Sequence, residues 1–280
     1  MNLIVFLIAL TVLYAAIRRA GRIWWVWGAA LVFVFMALID VAEPVLIDPL
    51  TNTYTPLAQS QLKSDILSVA RANGIPAKNV YLVDASKQSD RISANVAGFL
   101  GTTRIALNDN LLHKGTHDEV LAVLGHEMGH YVLDHAMVGL ALTTLLAFVV
   151  LALVNAGFLL AVAAFGGNWD VRGIDDPAGL PVLMALASFF FLVATPVTNT
   201  ITRTTEAQAD IFGVNAARQP DGFAEAALHL SEYRKLDPSP LEEFVFYDHP
   251  SGRNRIHMMM VWKAEHLNDA DIKAGPVSPQ

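Results

Sequence analysis

The sequence predicts a mainly α-helical protein that crosses a membrane several times and carries a small β-sheet in its polar part. Three observations predict it. The 280 residues are 54% hydrophobic and only 16% charged, against roughly 25% charged in an ordinary soluble domain. Four long stretches, Leu3–Ile17, Ile23–Ile39, Ala136–Phe165 and Leu180–Val197, contain no Asp, Glu, Lys or Arg. Between and after them lie polar segments in which short β-type runs alternate with capped helix starts.

The first two runs fall at the short end of what spans about 30 Å of hydrocarbon, so a single interfacial or buried hairpin is the alternative reading for them; the other two are long enough. Arg18, Arg19 and Arg22 follow the first run, whereas a secretory signal carries its basic residues ahead of the apolar core; a retained anchor is expected. Trp24, Trp25 and Trp27 come next, an aromatic belt suited to a turn at the membrane surface. Residues 51–56 (TNTYTP) read as a connection. Asn79–Asp84 and Asn95–Asn108 read as strands, the second folding at Gly101, Thr102 and Thr103 into a hairpin, which gives a small antiparallel sheet. Thr116 with Glu119 forms a capping-box signature and starts a helix. Residues 166–179 read as a second connection, and Pro181 and Pro196 as boundaries or kinks of the fourth run. The organisation is then a transmembrane hairpin over 1–41, a second over 136–200, and a polar region made of 42–135 with 201–280. Two crossings separate the polar segments, so both lie on one side of the membrane.

Composition removes several functions. Nineteen Lys+Arg against 26 Asp+Glu give a net charge of −7 with no long basic run, so no nucleic-acid partner is expected. There is no cysteine, hence no disulfide, thiolate metal site, iron–sulfur cluster or thiol nucleophile. Any metal must sit on His and carboxylate. A transporter would need ionisable or broken positions in mid-membrane, and the four runs hold no charge.

The chemistry concentrates in Gly125–His130 (GHEMGH), an HExxH pattern on the capped helix. His126 and His130 leave one helical face a turn apart, so both imidazoles reach one Zn²⁺, and Glu127 between them is placed to act as general base on a metal-activated water. Positions 133 and 136 are Leu and Ala, so the pattern with a third His at fixed short distance fails, and His135 is misplaced for it. A distant glutamate is the other source. Glu206, in Glu206–Asp210 (EAQAD) directly after the fourth run, is brought to the same membrane face as the two histidines by an antiparallel hairpin. Asp210 lies one turn on, where a carboxylate holds a ligand His by its other ring nitrogen. Two imidazoles and a carboxylate with one open position favour zinc, one per chain.

Together these motifs resemble the CAAX prenyl protease 1-like, or HtpX-like, membrane zinc metallopeptidases. The resemblance covers roughly residues 44–260 and rests on Pro44–Leu57, Thr103–Leu112, HEMGH, EAQAD and His249–Ile256 (HPSGRNRI). It implies an integral-membrane zinc endopeptidase of zincin type, with ligands His126, His130 and Glu206 and catalytic Glu127, acting on membrane-associated proteins or peptides. It also implies that His249 and Arg255 face the scissile carbonyl, where an oxyanion needs donors. Ser93–Phe99 becomes the edge strand along which substrate docks, through Asn95, Val96, Ala97 and Gly98. Prenyl proteases carry Asn-Ala and then an aromatic, whereas here Asn95 is followed by Val96 and Ala97, so substrate preference does not carry over. An inactive scaffold of the same fold is the alternative, against which Glu127 argues. Orientation is contested: the arginines of 18–23 and Arg172 favour the catalytic region facing out by the positive-inside rule, while the resemblance implies a cytoplasmic active site, the reading adopted.

Overall fold

The computed structural model describes residues 3–43, 50, 52–98, 103–230 and 235–272, with side chains from Thr11 onward. In chain order its principal elements are α1 (Leu3–Ala20), α2 (Trp24–Ala42), β1 (Tyr54–Pro56), α3 (Gln61–Ala72), β2 (Val80–Val83), β3 (Ala94–Ala97), β4 (Arg104–Asn108), α4 (Asp109–Lys114), α5 (His117–Val132), α6 (His135–Trp169), α7 (Leu180–Ala217), α8 (Pro220–Leu230), α9 (Pro240–Phe246) and α10 (Gly252–Glu265). They form two compact units, Met1–Leu38 with Gly139–Thr198, and Ile39–Val138 with Asn199–Gln280.

In the first unit the chain turns between α1 and α2 through a 3-10 segment, Gly21–Ile23. Gly21 takes φ +58°, a left-handed value that costs a side-chain-bearing residue but not glycine. Trp24 then donates its Nε1–H to Asn155 Oδ1 at 2.9 Å, so the polar groups on α2 and α6 satisfy each other inside an apolar cluster of Ile17, Val150, Val154, Phe158 and Leu183. Among the described residues three helical stretches are long and apolar enough to cross a membrane: Thr11–Ala42, His135–Trp169 and Pro177–Ala217. The first takes in the end of α1, the turn and α2, so four crossings are not resolved on length and composition. Outward side chains such as Leu160 and Leu192 stay about 70% exposed (71% and 69%), which suits lipid and not water. Helix α6 runs to Trp169, four residues into what the sequence marks as a connection. Helix α7 does not stop at Pro196 but continues to Ala217, so the EAQAD segment is helical.

The second unit holds a four-stranded sheet in the order β1-β2-β4-β3. The sheet is mixed, which corrects the antiparallel expectation: β1–β2 and β3–β4 are antiparallel, but β2 and β4 run parallel, Val80 opposite Ile105. The hairpin of β3 and β4 folds back so that β4, not β3, lies beside β2. The tip of that hairpin, 99–102, and most of the Pro44–Thr51 stretch lie outside the described residues. TNTYTP is also not a plain connection. Tyr54–Pro56 is strand β1, tied in by Thr53 N–H to Asp84 Oδ1 at 2.8 Å and Leu57 N–H to Val80 O at 2.8 Å; a proline is tolerated because the strand is at an edge.

Helix α5 starts on the expected capping box, with Thr116 N–H donating to Glu119 Oε2 at 2.6 Å and Glu119 N–H to Thr116 Oγ1 at 3.3 Å. Val120, Leu124 and Met128, four residues apart, form one stripe buried in a core with Ile66, Val80, Ile105 and Leu107. His126 and His130 fall about 200° from that stripe at 100° per residue, so burying the apolar face turns the HExxH face toward α7.

Candidate metal centre

Small residues set the distance between α5 and α7. A Cβ added to Gly213 would lie 2.6 Å from the His126 nitrogen, one added to Gly129 2.9 Å from Ala209 Cα, and one added to Gly125 2.9 Å from the Gly213 carbonyl oxygen. The two backbones therefore touch, and side chains one turn apart on each helix meet: His126 and His130 on α5, Glu206 and Asp210 on α7. Sequence reasoning did not pick out Gly213 or Ala209. The signal was present, because Gly125 and Gly129 each directly precede a motif histidine at a spacing of four, which lines small residues along one helical face.

Three donor atoms converge. His126 Nε2 lies 3.1 Å from His130 Nε2 and 3.3 Å from Glu206 Oε2, and His130 Nε2 lies 3.4 Å from Glu206 Oε1. Metal–ligand bonds of about 2.0–2.1 Å in a tetrahedron put ligand atoms about 3.3 Å apart, so these separations, two of them to different oxygens of Glu206, suit a divalent metal held by both imidazoles and that carboxylate. The three form the metal-capable group found among the described residues. Behind them, Asp210 is fully buried and meets His126 Nδ1 at 2.7 Å. That bond places the His126 proton on Nδ1 and leaves the Nε2 lone pair for a metal. Arg255 donates its Nε–H to Asp210 Oδ2 at 2.8 Å and a second bond from Nη2 to Oδ1, so the buried carboxylate is matched by a buried cation. Without a metal, burial disfavours the His126 imidazolium, but its bonds to Asp210 and Glu206 outweigh this and hold its pKa up at about 9. Burial also pushes the Glu127 carboxyl upward, against the lowering by His126 and His130, the direction needed by a group that must take and return a proton.

The centre opens into a cavity of about 350 Å³. Glu127, Glu206, His249 and Arg255 line it, and residues 91–94 form its other wall. His249 brings Nε2 to 3.5 Å from Glu206 Oε2, while its Nδ1 is 3.0 Å from Asp248 Oδ1. The chain just before and into β3 thus borders the cavity, and β3 is the terminal strand of the sheet with only β4 beside it. Asn95 keeps its buried Oδ1 without a hydrogen-bond partner among the described residues, and neither it nor Val96, Ala97 or Gly98 lines the cavity. Phe99 lies outside the described residues. Two further polar side chains meet the centre that the sequence did not assign to it: His135 and Gln208 stand behind His130.

Comparison with known proteins agrees with this architecture. The model of peptidase family M48 matches residues 56–263. An uncharacterized metalloprotease, YhfN, of Bacillus subtilis is 32% identical over 95% of this chain and 63% of its own length. A CAAX prenyl protease 1 homolog of Arabidopsis thaliana is 30% identical over 84% of this chain and 55% of its own. The chain therefore spans little more than half to five-eighths of these relatives. The crystal structure of S. mikatae Ste24p superposes with a TM-score of 0.75 over 89% of this chain and 62% of that one, at 24% identity, a likeness of fold. With the family model spanning most of the chain and the two histidines and the glutamate gathered at one point, this protein belongs to peptidase family M48.

Proposed function

We propose that this chain is a membrane-bound zinc endopeptidase of zincin type, with His126, His130 and Glu206 as metal ligands. The observation that carries the reading is the cluster of His126, His130 and Glu206, with one ligand atom of each within 4.8 Å of the others, and Glu127 beside it in an open cavity. A metal held there supplies a Lewis acid that acidifies water and polarises a carbonyl. Glu127 takes the proton of the attacking water on a carboxylate oxygen as the new C–O bond forms, then delivers it to the amide nitrogen as the C–N bond breaks. His249, held at Nδ1 by Asp248 and with its Nε2 turned to the centre, donates as the imidazolium to the carbonyl oxygen as charge develops there. Arg255 lines the same cavity and adds its positive charge to that oxygen's surroundings, and its bonds to Asp210 hold the carboxylate that orients His126.

Substrate docks along β3 in an extended conformation. Support comes from the side of the strand left unpaired among the described residues and from Asn95, whose Oδ1, buried without a partner among them, would meet a peptide N–H once the side chain turns outward. An unmet buried acceptor costs about 1–3 kcal/mol, which a bound backbone would relieve. The relatives named CAAX prenyl proteases favour lipid-modified membrane proteins as substrates; cleavage of misfolded membrane proteins uses the same chemistry. The catalytic region is 42–135 with 201–280, carried on four crossings in two hairpins, 1–41 and 136–200, and facing the cytoplasm. The test is cleavage of a prenylated peptide beside its unprenylated form by the detergent-purified chain. Loss of cleavage on chelation and its return with Zn²⁺ is expected; cleavage indifferent to chelator would reject the metal reading.

A further inference from the structure

His135 has the wrong spacing for a ligand, yet it is buried against the centre. On an uninterrupted helix a residue five after His130 would point about 140° away from it. The helix is interrupted. Helix α5 ends at Val132, and Asp134 takes φ +53°, a left-handed value that side-chain-bearing residues adopt sparingly and Asp more readily than most. Helix α6 then begins at His135, with the ring folded back onto His130. The two Nδ1 atoms are 2.9 Å apart, the ring centroids 5.0 Å apart and the rings steeply inclined at 72°. On its far side His135 Nε2 lies 3.1 Å from Oε1 of Gln208, the central residue of EAQAD, between Glu206 and Asp210 in sequence.

Two facing nitrogens share one proton, and the chain of contacts decides which holds it. Gln208 Oε1 only accepts, so His135 carries its proton on Nε2 and presents a bare Nδ1. His130 must then donate from its own Nδ1, which leaves the lone pair of His130 Nε2 pointing at Glu206 and His126. The reverse arrangement would put a proton on the very nitrogen that has to bind the metal.

We propose that His135 is a positioning residue: braced by Gln208, it fixes the tautomer and ring plane of His130 as Asp210 does for His126. This rests on the metal reading given under Proposed function. It adds an asymmetry to that centre. His126 is backed by a carboxylate paired with Arg255, and His130 by a neutral imidazole backed by an amide, so the two ligand rings differ in electron-donating power.

The test uses the full chain in detergent and two readouts besides activity: Zn²⁺ affinity by competition with a chromophoric chelator, and the visible spectrum of the Co²⁺ form. His135→Leu removes the acceptor facing His130. His135→Asn keeps one, its amide oxygen reaching the place of Nδ1. Loss of the brace is expected to weaken Zn²⁺ binding about 10–100-fold and to shift the Co²⁺ bands, with His135→Asn near wild type in both. Gln208→Leu, which leaves the start of α6 untouched, should weaken binding in the same direction, and Gln208→Glu should not. Wild-type affinity in His135→Leu, or equal weakening in the Leu and Asn variants while both metal-free forms melt like wild type, overturns the proposal and leaves the metal reading standing. A wild type that binds no metal overturns both.

Discussion

At the scale of single residues the centre is a set of oriented lone pairs, and each supporting group can be tested by what it orients. Asp210→Asn keeps the size of the side chain but weakens its hold on His126 Nδ1–H and leaves Arg255 without its buried counter-charge. Metal affinity is expected to fall about 10–100-fold, read as a shift in the chelator concentration that strips the metal; unchanged affinity would remove Asp210 from the centre. Asn95 gives the opposite kind of prediction. Its Oδ1 is buried without a partner among the described residues, so Asn95→Ala should leave the melting temperature unchanged or raised while KM for an extended peptide rises several-fold, the loss of about one hydrogen bond. A fall in melting temperature with unchanged KM would make Asn95 structural. Much of this was legible in the sequence, because His126, Glu127 and His130 sit at fixed helical spacing and Glu206 and Asp210 repeat that spacing on another helix. His135 was not legible. Its contact depends on the left-handed Asp134, and nothing in Leu133-Asp134-His135 announces a break between two strongly helical stretches.

At the scale of elements the centre depends on how closely α5 and α7 cross. Gly213 has the least room of the three glycines at the crossing, an added Cβ lying 2.6 Å from a backbone nitrogen that cannot rotate away. Gly213→Ala should therefore force the helices apart at a cost of about 1–3 kcal/mol, lowering the melting temperature and metal occupancy together. An alanine variant that retains both would mean that the crossing is looser than the geometry requires. The sheet shows where local reading stops. The β3–β4 hairpin and β2 follow from β-branched and apolar runs with turn residues between them, whereas the parallel pairing of β2 with β4 joins segments some 25 residues apart and leaves no local mark. Strand β1 reads as a turn because Asn, Thr and Pro dominate it; pairing with β2 overrides that propensity.

At the scale of the whole molecule, composition and the charge-free runs indicate the membrane, and the apolar side chains left bare on α6 and α7 agree. The protein should stay in the membrane fraction at alkaline pH and leave it only with detergent; release by carbonate would contradict the spans. The absence of cysteine makes orientation directly measurable. Asp90 is exposed, near the cavity wall, and a single Asp90→Cys substitution creates the only thiol in the chain. A membrane-impermeant maleimide should label it only after the membrane is opened, if the catalytic region faces the cytoplasm; labelling of intact cells would favour the arginine-based reading instead. The central claim is that one metal held by His126, His130 and Glu206 works with Glu127 to hydrolyse peptide bonds. Its most direct test is metal content and peptide cleavage of the purified wild type beside Glu127→Gln, with His126→Ala as the binding control. One zinc per chain and cleavage are expected in wild type, zinc retained but cleavage reduced at least about 10²-fold in Glu127→Gln, and neither in His126→Ala. A wild type without metal, or a Glu127→Gln variant that cleaves as well as wild type, would contradict it.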